Sequence, residues 1–156
     1  MKFFIASPWR NKDAVRDLTG ALVLRGHAVY SFLDSGANLA TGSSVIEEFK
    51  KFHRSMVDWE DDPVVGRIFE SEMRALGDSD AVILLEPAGD SSLTEAGIAY
   101  GMGKKVVLIG LVGHPEVVYR ICGNRYPSVE AFLEDPNGVA IKTEGAKKNS
   151  SPASAS

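Results

Sequence analysis

Apolar positions along this chain follow two rhythms that alternate from the N-terminus onward. Four short apolar runs, Phe3–Ala6, Ala28–Phe32, Asp80–Leu85 and Lys105–Gly110, each lie close to Gly, Pro, Asp or Ser turn residues. Runs of that length between turn signals predict strands buried on both faces. Between them the spacing becomes helical. Ala14, Val15, Leu18, Ala21 and Leu22 recur over Lys12–Arg25, and Gly26 stands where a helix C′ residue belongs. Val45, Phe49, Phe52 and Met56 fall at i, i+4, i+7 and i+11 and predict a further amphipathic helix. Asp61-Asp62-Pro63 has the form of an N-cap region with proline at the first helical position, opening a helix that runs towards Leu76. Ser92–Gly101 and Ser128–Leu133 are the remaining helices, Asp34–Thr41 is a Gly/Ser/Asn-rich loop, and Val139–Ile141 reads as a fifth, edge strand.

Strands that alternate with helices imply parallel strands joined by helical crossovers. The expected fold is α/β: a doubly wound, flavodoxin- or Rossmann-like, mostly parallel five-stranded sheet of order 2-1-3-4-5. It forms a single domain over residues 1–143, and the tail 144–156, which lacks apolar periodicity, reads as disordered. In that order the first and third strands are neighbours whose connections leave on opposite faces. Ligands of such sheets collect in the crevice beyond the carboxyl ends of those strands, here between Ser7–Arg10 and Pro87–Glu95.

Composition narrows the function classes. The chain has 156 residues, 44% apolar and 24% charged, the make-up of a soluble globular domain. A net charge of -4 with interspersed signs gives no basic patch, which argues against a nucleic-acid polymer or an anionic membrane as partner. The chain opens directly on the strand-like MKFFIAS and has no long apolar segment, so a cytoplasmic protein without a membrane span is expected. The single cysteine, Cys122, rules out an internal disulfide and fits a reducing compartment. His27, His53 and His114 are too widely spaced for a metal site. Gly97, Gly101 and Gly103 lie inside or after a helix, not ahead of one as a dinucleotide fingerprint requires. No cofactor and no metal are therefore expected.

One acid, Glu95, falls at the mouth of the expected crevice, and two readings of it stand side by side. Ser92-Leu93-Thr94-Glu95 is a capping box, in which Ser92 and Glu95 satisfy backbone donors reciprocally. Alternatively Glu95 is a carboxylate poised for chemistry and kept ionised by the helix N-terminus. Glu72 is either a second site acid or a solvated helix acid in the run Glu70-Ser71-Glu72. Asp90 is either a crevice acid or the Asx residue of a PAGDSS turn. Trp9 offers an aromatic face to a planar ligand, or packs as a core tryptophan. Ser7, Ser91 and Ser92 are hydroxyls placed for a substrate phosphate, Arg10 is a crevice cation, and Gly89 lies in the same loop.

Several of these residues carry a resemblance. FIASPW near the start, Glu72 ahead of SDAVILLEP, and DSSLTEAGIAYGMGKKVVLIG resemble the nucleoside 2-deoxyribosyltransferase family, which includes related deoxynucleotide N-hydrolases. The resemblance spans Met1 to Cys122. It implies an enzyme whose nucleophile, Glu95, attacks the anomeric carbon of a deoxyribosyl group and expels the base. A second base then takes the sugar in the transferases, and water in the hydrolases. It also implies Asp90 beside the sugar hydroxyls, an aromatic at Trp9, and Glu72 near the base, where the family usually carries aspartate. Tyr119 stands where the family has a polar residue that completes a neighbouring subunit's site, so a homo-oligomer is implied. The chemistry is consistent with this: the transition state is oxocarbenium-like, which a carboxylate stabilises, and the departing base needs an acid of raised pKa. The expected partner is a nucleoside or nucleotide. A glycosyl transferase is the leading reading, an N-glycosidase the first alternative, and a non-catalytic nucleotide-binding module the second.

Overall fold

The computed structural model describes residues 1–35 and 59–135. Among these, β1 (Lys2–Ala6), β2 (Ala28–Ser31), β3 (Ala81–Leu85), β4 (Lys105–Ile109) and β5 (Asn124–Tyr126) form one sheet of order β2-β1-β3-β4-β5. Every pairing is parallel, with Phe4 opposite Tyr30 and Val82, Ile83 opposite Val107, and Ile109 opposite Tyr126. The helices are α1 (Lys12–Leu24), α2 (Phe32–Ser35), α3 (Pro63–Asp78), α4 (Asp90–Gly101) and α5 (Val129–Glu134), with 3-10 turns at Trp9–Asn11, Trp59–Asp61 and Val117–Ile121. The doubly wound α/β fold expected from the hydrophobic rhythm is the one observed. None of the described helices is long and apolar enough to cross a membrane.

Side chains alternate across a strand, so the same run of apolar residues feeds two cores. Phe3, Ile5, Ile83, Val107 and Ile109 face Val15, Leu18 and Leu22 of α1 and Phe132 of α5. Phe4, Ala6, Val82, Leu84, Val106 and Leu108 face Leu76 of α3, Ala96 and Ala99 of α4, and Tyr119. The connection from β1 to β2 thus covers one face, and α3, which leads into β3, covers the other. The topological switch point lies between β1 and β3.

Local chemistry sets the element ends. Asp62 caps α3, its Oδ1 accepting from the Val64 amide at 2.8 Å, and Pro63 occupies the first helical position. Gly26 follows α1 at φ +81°, a conformation that favours glycine. β2 ends at Ser31, one residue short of expectation, and Phe32 begins α2 instead. Asp34 accepts from the Ser31 amide at 2.8 Å, a local bond that turns the chain out of the sheet.

The sequence pattern does not assign the fifth described strand, Asn124–Tyr126, which pairs with β4. Three residues paired along one edge need no apolar run, so NRY reads as a loop in sequence. Tyr126 secures the strand by packing its ring 5.3 Å from that of Phe132. The residues 139–141, most of the loop 34–41, the helix assigned to residues 45–56 and the tail 144–156 lie outside the described residues.

Candidate active site

The crevice is built from the loops after β1 and β3. Ser7, buried at the end of β1, donates from Oγ to the Leu85 carbonyl at 3.1 Å. Asn11 Nδ2 donates to Ser7 Oγ at 2.9 Å and to the Pro87 carbonyl at 3.1 Å. Arg10 Nη2 donates to the Pro87 and Ala88 carbonyls at 3.3 and 2.8 Å. These bonds satisfy carbonyls that an irregular loop would otherwise present to water. Ser7 and Arg10, expected to hold substrate, bond here to the end of β3 and to the loop that follows it. Trp9 packs its ring 5.1 Å from that of Phe32, at a 51° tilt, at the other side of the β1 loop.

The start of α4 differs from the capping-box reading. Gly89 is the N-cap, its carbonyl accepting from the Leu93 amide at 2.9 Å, and Asp90 is the first helical residue. Ser92 is thus already inside the first turn and only 1% exposed, so the Ser92–Glu95 box does not form. The amides of Asp90, Ser91 and Ser92 precede the first intrahelical bond and point towards the crevice end of the helix. Asp90 and Ser91 are exposed, while Ser92, Ala96 and Ala99 make the buried stripe, with Glu95 half-buried beside it.

Helix direction brings the two principal acids to one level. α3 leads into β3 and so runs back from the carboxyl edge of the sheet, with Leu76 in the core and Glu72 one turn nearer that edge. α4 leaves the same edge, and Glu95 lies in its second turn. Burial pushes the Glu72 carboxyl up to about 7. Burial and, secondarily, the nearby Glu72 charge push Glu95 up to about 8. The ionising influence of the helix N-terminus fades beyond the first turn, so burial prevails at Glu95. Burial thus favours the protonated form of both carboxyls.

Two residues outside the expected set, Glu86 and Asn11, belong to this wall. Glu86 follows β3 directly; its Oε2 accepts from the Ala88 amide at 2.7 Å and its Oε1 from the Tyr119 hydroxyl at 2.9 Å. Tyr119, which the resemblance places in a neighbouring subunit's site, is 8% exposed here and donates its hydroxyl to Glu86 of its own chain. Desolvation, ahead of the bond to Glu86, pushes the phenol up to about 12. The signal for Glu86 was present in LLEP, a charged residue closing an apolar run; Asn11 carried none. Among the described residues no three His, Cys, Asp or Glu side chains are grouped to hold a metal ion.

No protein-family model matches the sequence, and no curated protein matches it. The fold is similar to that of a 2-deoxyribosyltransferase from the psychrotolerant bacterium Bacillus psychrosaccharolyticus, at TM-score 0.55 and 18% identity over 83% of this chain and 88% of that one. It is also similar to the CMP N-glycosidase BcmB of Clostridium botulinum, at TM-score 0.53 and 16% identity over 88% of this chain and 98% of that one. At such identities the likeness is one of fold.

Proposed function

We infer that this chain cleaves the N-glycosidic bond of nucleosides and passes the sugar to another base, as an enzyme of the nucleoside 2-deoxyribosyltransferase type. The observation that carries the reading is the pair Glu72 and Glu95, both half-buried at the carboxyl edge of the sheet and both held towards the protonated form by burial. The two proteins of similar fold, a deoxyribosyltransferase and a CMP N-glycosidase, support the same class of reaction.

The raised pKa values bear on the chemistry. Burial favours the protonated form of both acids, whereas a nucleophile must be ionised. Positive charge developing on the sugar draws the anion to Glu95 and leaves the proton on Glu72. The Glu95 carboxylate then attacks the anomeric carbon as the C–N bond breaks; the electron pair leaves with the base, which takes its proton from Glu72. In the second half an acceptor nitrogen attacks the same carbon, the bond to Glu95 breaks, and Glu72 recovers a proton from the acceptor. Asp90 and Ser91, exposed at the start of α4, serve the sugar hydroxyls, with Gly89 and Ser92 shaping that turn. Trp9 offers an aromatic face to the base.

Hydrolysis is the second reading, because water can replace the acceptor at the same pair and one protein of similar fold is an N-glycosidase. A homo-oligomer belongs to the same proposal: Leu111 and Val117 are 82% and 86% exposed, apolar area that a second copy would cover. The test is a mass-spectrometric panel of 2′-deoxynucleosides, with and without a free acceptor base. Base exchange that disappears in a folded Glu95→Ala variant is the expected result. Free sugar with or without acceptor shows a hydrolase. Saturable nucleoside binding with no turnover, unchanged in Glu95→Gln, shows a non-catalytic module and ends the enzymatic reading.

A further inference from the structure

Glu86 and Tyr119 lie outside the reacting pair, and the core needs neither as a charge nor as a hydroxyl. Tyr119 packs in the α3/α4 core, where a phenylalanine would fill the same space with no hydroxyl to desolvate. The polar atoms are nevertheless joined, Tyr119 to Glu86 Oε1 and Glu86 Oε2 to the Ala88 amide. The end of β4 is shaped to admit this arrangement. Gly110 has φ +106°, and a Cβ there would stand 2.8 Å from the Glu86 Cβ. On the opposite side Arg10 and Asn11 hold the Pro87 and Ala88 carbonyls. The segment Pro87–Gly89 is thus tied from both sides, and α4 begins immediately after it with Asp90.

We propose that Glu86 and Tyr119 are a positioning couple: Tyr119 fixes the Glu86 carboxylate, Glu86 fixes the Ala88 amide, and together they hold the start of α4 in its sugar-binding geometry. What the segment binds rests on the function proposed above; that the couple holds it does not. The couple acts before the chemical step, so it governs capture of the sugar more than its transfer.

The test pairs a kinetic readout with one that needs no turnover. Tyr119→Phe removes a single hydroxyl, and Glu86→Gln removes the charge while keeping the shape. With 2′-deoxyadenosine as probe, each variant is expected to raise KM about tenfold while kcat stays within about threefold. Amide exchange over residues 86–92 is expected to speed up in both, and the double variant to be no worse than the worse single one. Equal losses in kcat and kcat/KM, an unchanged KM, or additive effects in the double variant overturn the proposal. Should Glu86→Gln fail to fold, Tyr119→Phe carries the test alone. If the wild type turns over none of the nucleosides, the functional reading fails; the couple is then judged on exchange, and unchanged exchange in Tyr119→Phe overturns it.

Discussion

The two faces of the sheet are made by the same strands and differ in what their helices bring. On one, Val15, Leu18, Leu22 and Phe132 are fully buried, and Phe132 meets Phe3 edge-on at 6.0 Å. On the other, the fully buried apolar residues of α4 are the small Ala96 and Ala99, with Leu93 and Ile98 partly buried beside them, and that of α3 is Leu76. Large side chains close the first face. Small ones let α4 approach the sheet and leave the carboxyl edge to Glu72, Glu86, Glu95 and Tyr119. Half-buried acids cost stability, so the closed face supplies what the acidic face gives up.

That division can be broken from either side. The largest effect belongs to Glu95→Gln, which should lower nucleoside turnover by about 10³-fold or more while the midpoint of thermal unfolding stays level or rises, because a desolvated acid has been removed. Turnover within tenfold of wild type would remove Glu95 from the chemistry. The mirror experiment is Phe132→Ala: a loss of about 3–5 kcal/mol in denaturant unfolding, with turnover per folded molecule unchanged. A loss of turnover at constant stability there would mean that the two faces are not independent.

A third experiment reads the acids without any substrate. The folded pKa values of Glu72 and Glu95, about 7 and about 8, lie above the ordinary carboxylate value. The native state therefore binds more protons than the unfolded chain between about pH 4.5 and 8, and stability falls as pH rises through that window. Urea unfolding should show a decline of a few kcal/mol across it. In the double variant Glu72→Gln, Glu95→Gln the decline should flatten, whereas Phe132→Ala should keep the slope. A flat wild-type profile would contradict the burial of the pair. The smallest effect expected is about 1 kcal/mol from Asp62→Ala, which removes the α3 cap and loosens the helix that carries Glu72, measured by the same unfolding.

Most of the fold was legible because strands buried on both faces must be apolar throughout and helices packed on them must be apolar at one stripe. β1, β3, β4, α1 and α3 followed from that rule with ends within about two residues, the ordinary scatter of helix and strand boundaries. β5 escaped it, since Asn124-Arg125-Tyr126 is held by edge pairing, by the Tyr126–Phe132 ring contact and by side-chain hydrogen bonds such as Arg125 to the Tyr119 carbonyl. The site was legible in part. Glu95, Glu72 and Asp90 were placed by motif and by the crevice rule, but the supposed capping box hid the true start of α4 at Asp90. For Ser7, Arg10 and Tyr119 the hydrogen-bond partners were not legible, because Leu85, Pro87, Ala88 and Glu86 lie some 30 to 80 positions away in the chain.

The sequence by itself determined the alternation of strands and helices, the switch point between β1 and β3, and the presence of acids near it. These depend on periodicity and local turn chemistry, which the chain states in order. Only the tertiary structure decided that Glu72 and Glu95 share one desolvated environment, that Ser7, Arg10 and Asn11 tie one loop to another, and that Tyr119 turns inward to Glu86. Burial and hydrogen bonding between distant segments exist only once the helices are packed, and burial is the first cause of the raised Glu72 and Glu95 carboxyls.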